Sequence, residues 1–581
     1  MLRGLITILA LLTTLHGASQ YYIRGDVKDI NDVPLQNVRI YMPATRAIYS
    51  SGFGGGFGIP SARTSDSLVF TKQGYDTVCV RFNTSEYLRV VMRVTEKKDV
   101  PVVQKMVSFT TGNDDNQSRI STYYGETYTR LIENNFVKAG LAAQTTFGLR
   151  IDKASYSNIR RFINQQMEVP PDAVRIDEML NYFNLNYTAP DSGLTFHTQS
   201  QITDCPWNPE NRLLFVNISA RKLDLSRVPP SNFVFLIDVS GSMDLPNRLP
   251  LLKEAFQLLV KNLRPIDTVS IVVYGGSVGI WLTPTGGDNK EKISRAIEDL
   301  RASGDTPGEA ALRTAYKLAR STFIKGGNNR IILATDGDFN IGVTSEKDLE
   351  DLIVKEKESG VYLTCLGVGM GNYKDSKIEV LAKKGNGNFA YIDNIKEAEK
   401  VLVMQFTQTM YAVAEDAYIN VKFVPETVRK YRLIGYDNKI SEFRNVISEP
   451  EGGEIGSGAG NTILFEINPA GNDSILRNAP LATFNIHFKT PSDSTEKIQQ
   501  YQSLYNYTPY ASLSGALKFA TAIVSFGLKL KNSKYAPDLS WKLINKITQE
   551  SVLPGDYLHA QFIEMVNKSE QIYTKRRNRR R

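Results

Sequence analysis

Between Phe233 and Met243 the chain changes character abruptly: Phe233-Val-Phe-Leu-Ile237 is wholly apolar, and Asp238, Ser240, Gly241 and Ser242 follow at once. A continuous apolar run predicts a parallel strand buried on both faces. The residues after it present oxygen atoms at the carboxyl edge of a sheet, where open α/β sheets bind ligands. Downstream the pattern predicts helices over 249–263, 290–302, 308–323, 346–359, 375–384 and 395–411, and strands over 268–274, 280–282, 330–335, 361–368 and 389–392. Alternation at this pitch implies an α/β domain over 229–414, a doubly wound, mostly parallel sheet with helices on both faces.

The flanking segments follow other periods. Residues 20–95 alternate in short strands (23–27, 38–41, 67–70, 76–82, 87–94) and predict a small β-sandwich, with Gly52-Phe-Gly-Gly-Gly-Phe-Gly58 as a flexible hairpin loop. A polar stretch, 96–121, reads as a linker. Segment 122–228 is expected to be helical first (122–138, 156–163, 172–183) and then β, packing on the central domain. A β-rich domain over 415–495 has strands at 418–424, 431–434, 462–467 and 482–488. These are expected to pair with strands of 194–225, clamping the α/β domain in a discontinuous sandwich. Helical spacing at 512–530, 539–551 and 559–573 predicts a helical domain over 496–574, ahead of a basic tail at 575–581.

At 581 residues the chain is long enough for three to five domains. Its net charge of +8 is concentrated in Arg3, Lys575, Arg576, Arg577, Arg579, Arg580 and Arg581, so the folded body is nearly neutral and a nucleic-acid partner is not expected. The tail reads as a solvated end, or as a contact with an anionic envelope surface. Residues 1–19 carry Arg3, an apolar run and the small residues Gly17 and Ala18, the pattern of a secretory signal peptide. No Cys follows that run, so a bacterial lipoprotein is not expected. The expected location is exported, in the periplasm or cell envelope of a bacterium. Cys79, Cys205 and Cys365 read as free thiols, with Cys79 and Cys365 inside apolar runs as small hydrophobes.

Two more loops bring oxygens to the same sheet edge: Ser303-Gly-Asp-Thr-Pro-Gly308 supplies Thr306, and Ile331-Ile-Leu-Ala-Thr-Asp-Gly-Asp338 supplies Asp336. An oxygen-only donor set suits a hard cation. With Asp238, Ser240 and Ser242 these residues resemble the metal-ion-dependent adhesion site of von Willebrand factor type A domains. The resemblance implies that Asp238, Ser240, Ser242, Thr306 and Asp336 hold a divalent cation, Mg²⁺ foremost with Mn²⁺ or Ca²⁺ as alternatives. It also implies that Gly241, Met243, Asp305, Gly337 and Asp338 border a protein partner whose acidic side chain completes the coordination shell. Further stretches, among them Leu149-Arg-Ile-Asp-Lys-Ala-Ser-Tyr156, Cys205-Pro-Trp-Asn-Pro209 and Tyr431-Arg-Leu-Ile-Gly-Tyr436, are similar to the bacterial envelope group called YfbK-like. The front segment, through Gly25-Asp-Val27, Pro34 to Ile40 and Gly74-Tyr75, resembles carboxypeptidase regulatory-like domains, which are non-catalytic spacer modules.

The rival to a binding role is a metal-dependent hydrolase or phosphoryl-transfer enzyme at the same site, with Asp305 or Asp338 as base. It lacks parts in the sequence: past the signal segment the histidines are His197, His487 and His559, none in the central domain, and no P-loop, His-Glu-x-x-His or Gly-x-Ser-x-Gly element occurs. The sequence therefore favours a non-enzymatic binding protein.

Overall fold

The computed structural model describes residues 21–30, 32–45, 47–52, 54–72, 75–93, 120–224, 226–304, 308–337, 346–438, 452–491, 493–551 and 555–579. The expected signal segment, almost all of the linker, and Asp305, Thr306 and Asp338 lie outside them. The chain divides into two compact units, Met1–Asn113 and Asp114–Arg581.

In the front unit, Tyr21–Asp29 pairs antiparallel with Gly56–Ser61 and parallel with Tyr87–Met92. A second sheet runs Ala47–Ser50, Arg39–Met42, Ser65–Thr71, Val78–Asn83. Alternate residues, including Ile23, Val27, Ile40, Leu68 and Phe70, close on one core. The glycine cluster is not wholly a loop, because Gly56–Ser61 is a strand. Opposite it, a Cβ on Gly25 would lie 2.2 Å from the Leu88 carbonyl and 2.4 Å from the Phe57 ring, so glycine is what lets Phe57 cross over the strand. Cys79 is exposed, on the outward side of Val78–Asn83, and is no core hydrophobe. Cys205 and Cys365 are buried, and all three thiols are free.

The second unit is built on a six-stranded sheet: β1 (Ser231–Asp238), β2 (Thr268–Gly275), β3 (Ser277–Gly286), β4 (Asn328–Thr335), β5 (Val361–Gly367) and β6 (Phe389–Tyr391). Their order is β3-β2-β1-β4-β5-β6, all parallel except the β2–β3 hairpin. Every residue of β1 is buried. Phe233, Phe235 and Ile237 point into a core with helices Leu249–Lys261 and Lys290–Glu298, and Val234 and Leu236 into a second core with Gly308–Ser321 and Asp375–Lys384. This two-sided burial explains the unbroken apolar run; each such side chain contributes about 1.5–3 kcal/mol of transfer free energy. Neighbouring strands were added outward in both directions from β1 and β4, so the crevice at the carboxyl ends falls there.

Around this domain lies a two-sheet sandwich assembled from both sides of the sequence. Arg212–Ala220 pairs antiparallel with Gly460–Pro469, and Gln144–Gly148 pairs with Ala412–Phe423. Leu214, Val216 and Ile218 face the sandwich core, while Leu213 and Phe215 face a helical layer. In that layer Ala154–Asn164 and Ile176–Tyr182 pack with Gly515–Lys531, Trp541–Glu550 and Tyr557–Arg579. Among the described residues no helix is long and apolar enough to cross a membrane.

Four expectations need correction. Residues 122–138 are not helical: Ile120–Tyr123 and Glu126–Thr129 form a hairpin whose turn residues Tyr124 (φ +53°) and Gly125 (φ +83°) both have positive φ, as tight hairpin turns require. The helix over 395–411 is interrupted by a π-helical turn, Lys400–Met404, where Lys400 is buried and donates to the Tyr182 carbonyl at 3.0 Å. Residues 493–504 form a strand at the edge of the sandwich, mostly exposed and polar, so it lacked the alternation that marks a half-buried strand and the helical segment starts later than residue 496. The basic tail is not wholly an irregular end, since the last helix continues to Arg579.

Buried ion pairs fasten the layers. Arg330 of β4 pairs with Glu454 of the sandwich, each about 1% exposed. Arg160 reaches Asp393 and Glu397 from the helical layer, and Arg175 reaches Asp375 at 2.7 Å. Beside the first pair, Glu415 accepts a hydrogen bond from Tyr362 at 2.8 Å. Burial pushes the Glu415 carboxyl up to about 7, and the negative charge of Glu454 adds to this. A carboxyl raised on folding favours the native state below the ordinary carboxylate range, and that contribution disappears as pH rises through about 7. The wild-type urea midpoint should therefore lose on the order of 2–3 kcal/mol of stability between pH 4.5 and 7.5 that Glu415→Gln does not lose. Parallel pH profiles for the two proteins would refute the assignment.

Candidate metal centre

Strand β1 delivers Asp238 to the sheet edge fully buried. Its Oδ1 accepts the Ser240 N–H at 2.9 Å and its Oδ2 accepts the Thr335 hydroxyl at 2.8 Å, so the carboxylate joins the ends of β1 and β4. Burial pushes this carboxyl up to about 6; the charge of Asp336 adds to the rise, and the bonds from Ser240 and Thr335 oppose it. Ser240 is extended, and a 3-10 turn, Gly241–Asp244, follows. That geometry turns both serine hydroxyls to one side: Ser240 Oγ lies 3.1 Å from Ser242 Oγ, which donates to Asp336 Oδ2 at 3.0 Å.

These spacings fit a cation. Adjacent oxygens on an octahedron with metal–oxygen bonds of about 2.1 Å lie about 3 Å apart. Hydroxyl hydrogens rotate freely, so Ser240 and Ser242 can turn lone pairs toward a common point. Asp238, Ser240, Ser242 and Asp336 would hold such an ion, which would supply Lewis acidity and an anchoring charge for an anionic group. Among the described residues no three His, Cys, Asp or Glu side chains cluster for a metal. Two carboxylates and two serine hydroxyls make an all-oxygen donor set, which suits hard cations over zinc.

Close backbone packing holds the loops. The Gly241 N–H donates to the Gly304 carbonyl at 2.9 Å and the Ser303 N–H to the Val239 carbonyl at 2.7 Å. Gly304 has φ +74°, and a Cβ there would lie 2.4 Å from Gly276 Cα. The loop that carries Thr306 is therefore tied to the serine loop at its start.

Two residues assigned to partner contact take other positions. Met243 is fully buried beneath the site, in the core with Leu252 and Phe256, and cannot offer its side chain to a partner. Gly337 is buried as well; at φ +81° it turns the chain after Asp336, and its N–H donates to Thr335 at 3.0 Å. Gly241 is exposed at the rim.

The pattern reading missed Thr335 and Arg248. Thr335 had a signal, standing next to Asp336-Gly337 at the end of an apolar strand. Arg248 is buried, and its Nη1 donates to Asp336 Oδ2 at 2.7 Å and to the Ser242 carbonyl at 2.6 Å. Its one legible oddity is its place immediately before helix Leu249–Lys261, where the helix dipole disfavours a cation.

Comparison with known proteins matches residues 233–338 to the von Willebrand factor type A domain, residues 122–215 to a model described as von Willebrand factor, and residues 408–572 to the C-terminal domain of the uncharacterized protein YfbK. The chain is 37% identical to uncharacterized protein YfbK of Escherichia coli (strain K12) over 458 residues, 74% of this chain and 78% of that protein. It is also 32% identical over 149 residues to inter-alpha-trypsin inhibitor heavy chain H4 of Homo sapiens, covering 24% of this chain and 16% of the relative. The magnesium-chelatase 67 kDa subunit of Chlorobaculum parvum matches at 27% over 186 residues, 29% of this chain and 30% of that one. Among solved structures, a von Willebrand factor type A protein from Catenulispora acidiphila aligns at TM-score 0.40 and 18% identity, over 66% of this chain and 91% of that one.

The geometry separates two substitutions at the site. Asp336→Ala leaves the Arg248 guanidinium buried without its carboxylate and should cost about 3–5 kcal/mol in the metal-free protein. Ser242→Ala removes one half-buried hydroxyl from an otherwise paired Asp336 and should cost about 1 kcal/mol. Urea denaturation in EDTA measures both, and equal losses would contradict the role given to the Arg248–Asp336 pair.

Proposed function

Because the chain belongs to the YfbK family and carries a von Willebrand factor type A domain, we propose that it is an exported protein that captures a protein partner through a divalent cation at the edge of the central sheet. The supporting observation is the run of three oxygens, Ser240 Oγ, Ser242 Oγ and Asp336 Oδ2, spaced at 3.1 and 3.0 Å, with Asp238 and Asp336 buried and Ser242 half-buried. Asp238 and Asp336 together balance a divalent ion, and Arg248 leaves the site with one net positive charge. An Asp or Glu side chain of the partner is the ligand that such a site attracts. Leu245 (49% exposed) and Met370 (37% exposed) flank it with apolar surface of the kind a protein partner covers. Thr306 is taken as the further hydroxyl ligand, with Asp305 and Asp338 beside the partner and without a proton-transfer role. In this reading the front sandwich is a spacer, the domain sits in the periplasm or cell envelope, and Mg²⁺ is the resident ion.

Purified protein should bind Mg²⁺ or Mn²⁺ on the order of micromolar to millimolar affinity and show no preference for Zn²⁺. Pull-down from envelope extract should recover a partner in Mg²⁺ and lose it in EDTA or with Ser242→Ala, with the fold retained by circular dichroism. Partner capture that ignores EDTA would count against the reading. Metal-dependent hydrolysis of a phosphate or ester that vanishes in Asp338→Asn would transfer the site to the hydrolase class. Export is tested separately: the mature chain should begin near Ser19 or Gln20, and an intact Met1 terminus in the cytosol would refute it.

A further inference from the structure

Arg248 is 4% exposed and clasped on two sides. Its Nη1 holds Asp336 Oδ2 and the Ser242 carbonyl; its Nη2 donates to the Met370 carbonyl at 2.8 Å and to Asn372 Oδ1 at 2.5 Å. The position is unfavourable in two respects. It precedes the N-terminus of helix Leu249–Lys261, the positive end of the helix dipole, and its Nε is buried with no hydrogen-bond partner. Gly369 makes the room, since a Cβ there would lie 2.6 Å from Nε. What offsets these costs is Asp336 together with three acceptors, one from the serine turn and two from the loop at 370–372.

That loop is clasped again from the far side. The Gly371 N–H donates to Glu126 Oε1 at 2.8 Å, the Thr127 N–H to the Tyr373 carbonyl at 3.0 Å, and Lys374 Nζ to the Gly125 carbonyl at 2.9 Å. Glu126 is itself buried and held by Arg161, with 2.7 Å bonds from Nη1 and Nη2. A continuous polar chain therefore runs from the site oxygens through Asp336, Arg248 and the loop to the hairpin Ile120–Thr129.

We propose that Arg248 is a tethered counter-cation that sets the cation affinity of this site and couples its occupancy to the 120–129 hairpin. The inference rests on the reading that the site takes a divalent ion. Asp336 Oδ2 is the oxygen that both Ser242 and Arg248 already use, so a second cation at the same oxygen weakens its hold on the guanidinium. A weaker hold on Nη1 loosens the side chain that Nη2 uses to fix Met370 and Asn372. Arg248 is thus a positioning residue: in the metal-free protein it keeps Asp336 in place, at the expense of affinity for a cation.

The test uses the full-length chain and Mn²⁺ alone as the probe, with free Mn²⁺ read by electron paramagnetic resonance. Arg248→Gln, which keeps hydrogen-bond donors and removes the charge, should bind Mn²⁺ about tenfold more tightly than wild type, and Arg248→Lys should stay within about threefold of wild type. In wild type, saturating Mn²⁺ should raise amide hydrogen exchange at 369–373 and 120–129, a readout that needs no variant and so survives any folding defect in Arg248→Gln. If wild type binds no Mn²⁺, the metal reading itself fails. If wild type binds but Arg248→Gln, folded, binds no more tightly, or if exchange at both segments is unmoved, the inference about Arg248 is overturned while the metal site stands.

Discussion

The structure depends on a strand that has no solvent face. With β1 buried on both sides, a polar side chain along it loses its water and costs a few kcal/mol unless the protein supplies partners, as it does for Asn232, whose Nδ2 donates to the Ala319 carbonyl at 2.9 Å. Between Phe233 and Ile237 the strand is wholly apolar, and oxygens return where it ends, with Asp238, Ser240 and Ser242 within five residues. The parallel partner β4 carries Asn329 and the ion-paired Arg330 near its start, continues as the apolar run Ile331–Ala334, and passes through Thr335 into Asp336. Strand order diverges at these two strands, which places the crevice at their carboxyl ends. The candidate site lies where the apolar runs of both strands end.

A similar logic governs the contacts between layers. Arg330 with Glu454, Arg160 with Asp393 and Glu397, and Arg175 with Asp375 are all buried. Desolvation makes such pairs poor sources of net stability, but separating either partner is expensive, so they dictate which surfaces meet. Each joins the α/β domain to the sandwich or to the helical layer. The central domain is consequently fixed in a frame assembled from segments before and after it in sequence, unlike a bead on a flexible string.

Serine hydroxyls, two carboxylates and a nearby arginine give the candidate site its chemical character. Two carboxylates would hold a divalent ion with little charge to spare; substituting hydroxyls for further carboxylates and adding Arg248 keeps the region positive once an ion is present. The same arginine stabilises the acidic loops of the metal-free protein, where the Asp238 carboxyl is pushed upward by burial. The candidate donor oxygens and the buried pair that stabilises the fold thus share one carboxylate, Asp336.

By itself the sequence determined the α/β domain, its strand order of appearance, and the oxygens at its edge, because two-sided burial leaves an unbroken apolar run and the polar residues that end it cannot be mistaken for core. It also indicated that strands of 415–495 pair with strands of 194–225, which holds for 462–467 against 212–220, whereas 418–424, 431–434 and 482–488 find their ladder partners in other strands of the two sheets. Other features had no local signature. Residues 120–129 form a hairpin through positive φ at Tyr124, which no composition rule anticipates, and 493–504 is an edge strand with too few buried positions to alternate. Met243, next to the serines in sequence, points into the core, because a single 3-10 turn reverses which side a residue faces. Arg248, six residues from Ser242, reaches Asp336 across 88 positions of chain, and Glu126 meets Gly371 across 245. Pairings of that span are set by how the sheet and its surrounding layers pack, and only the tertiary structure could decide them.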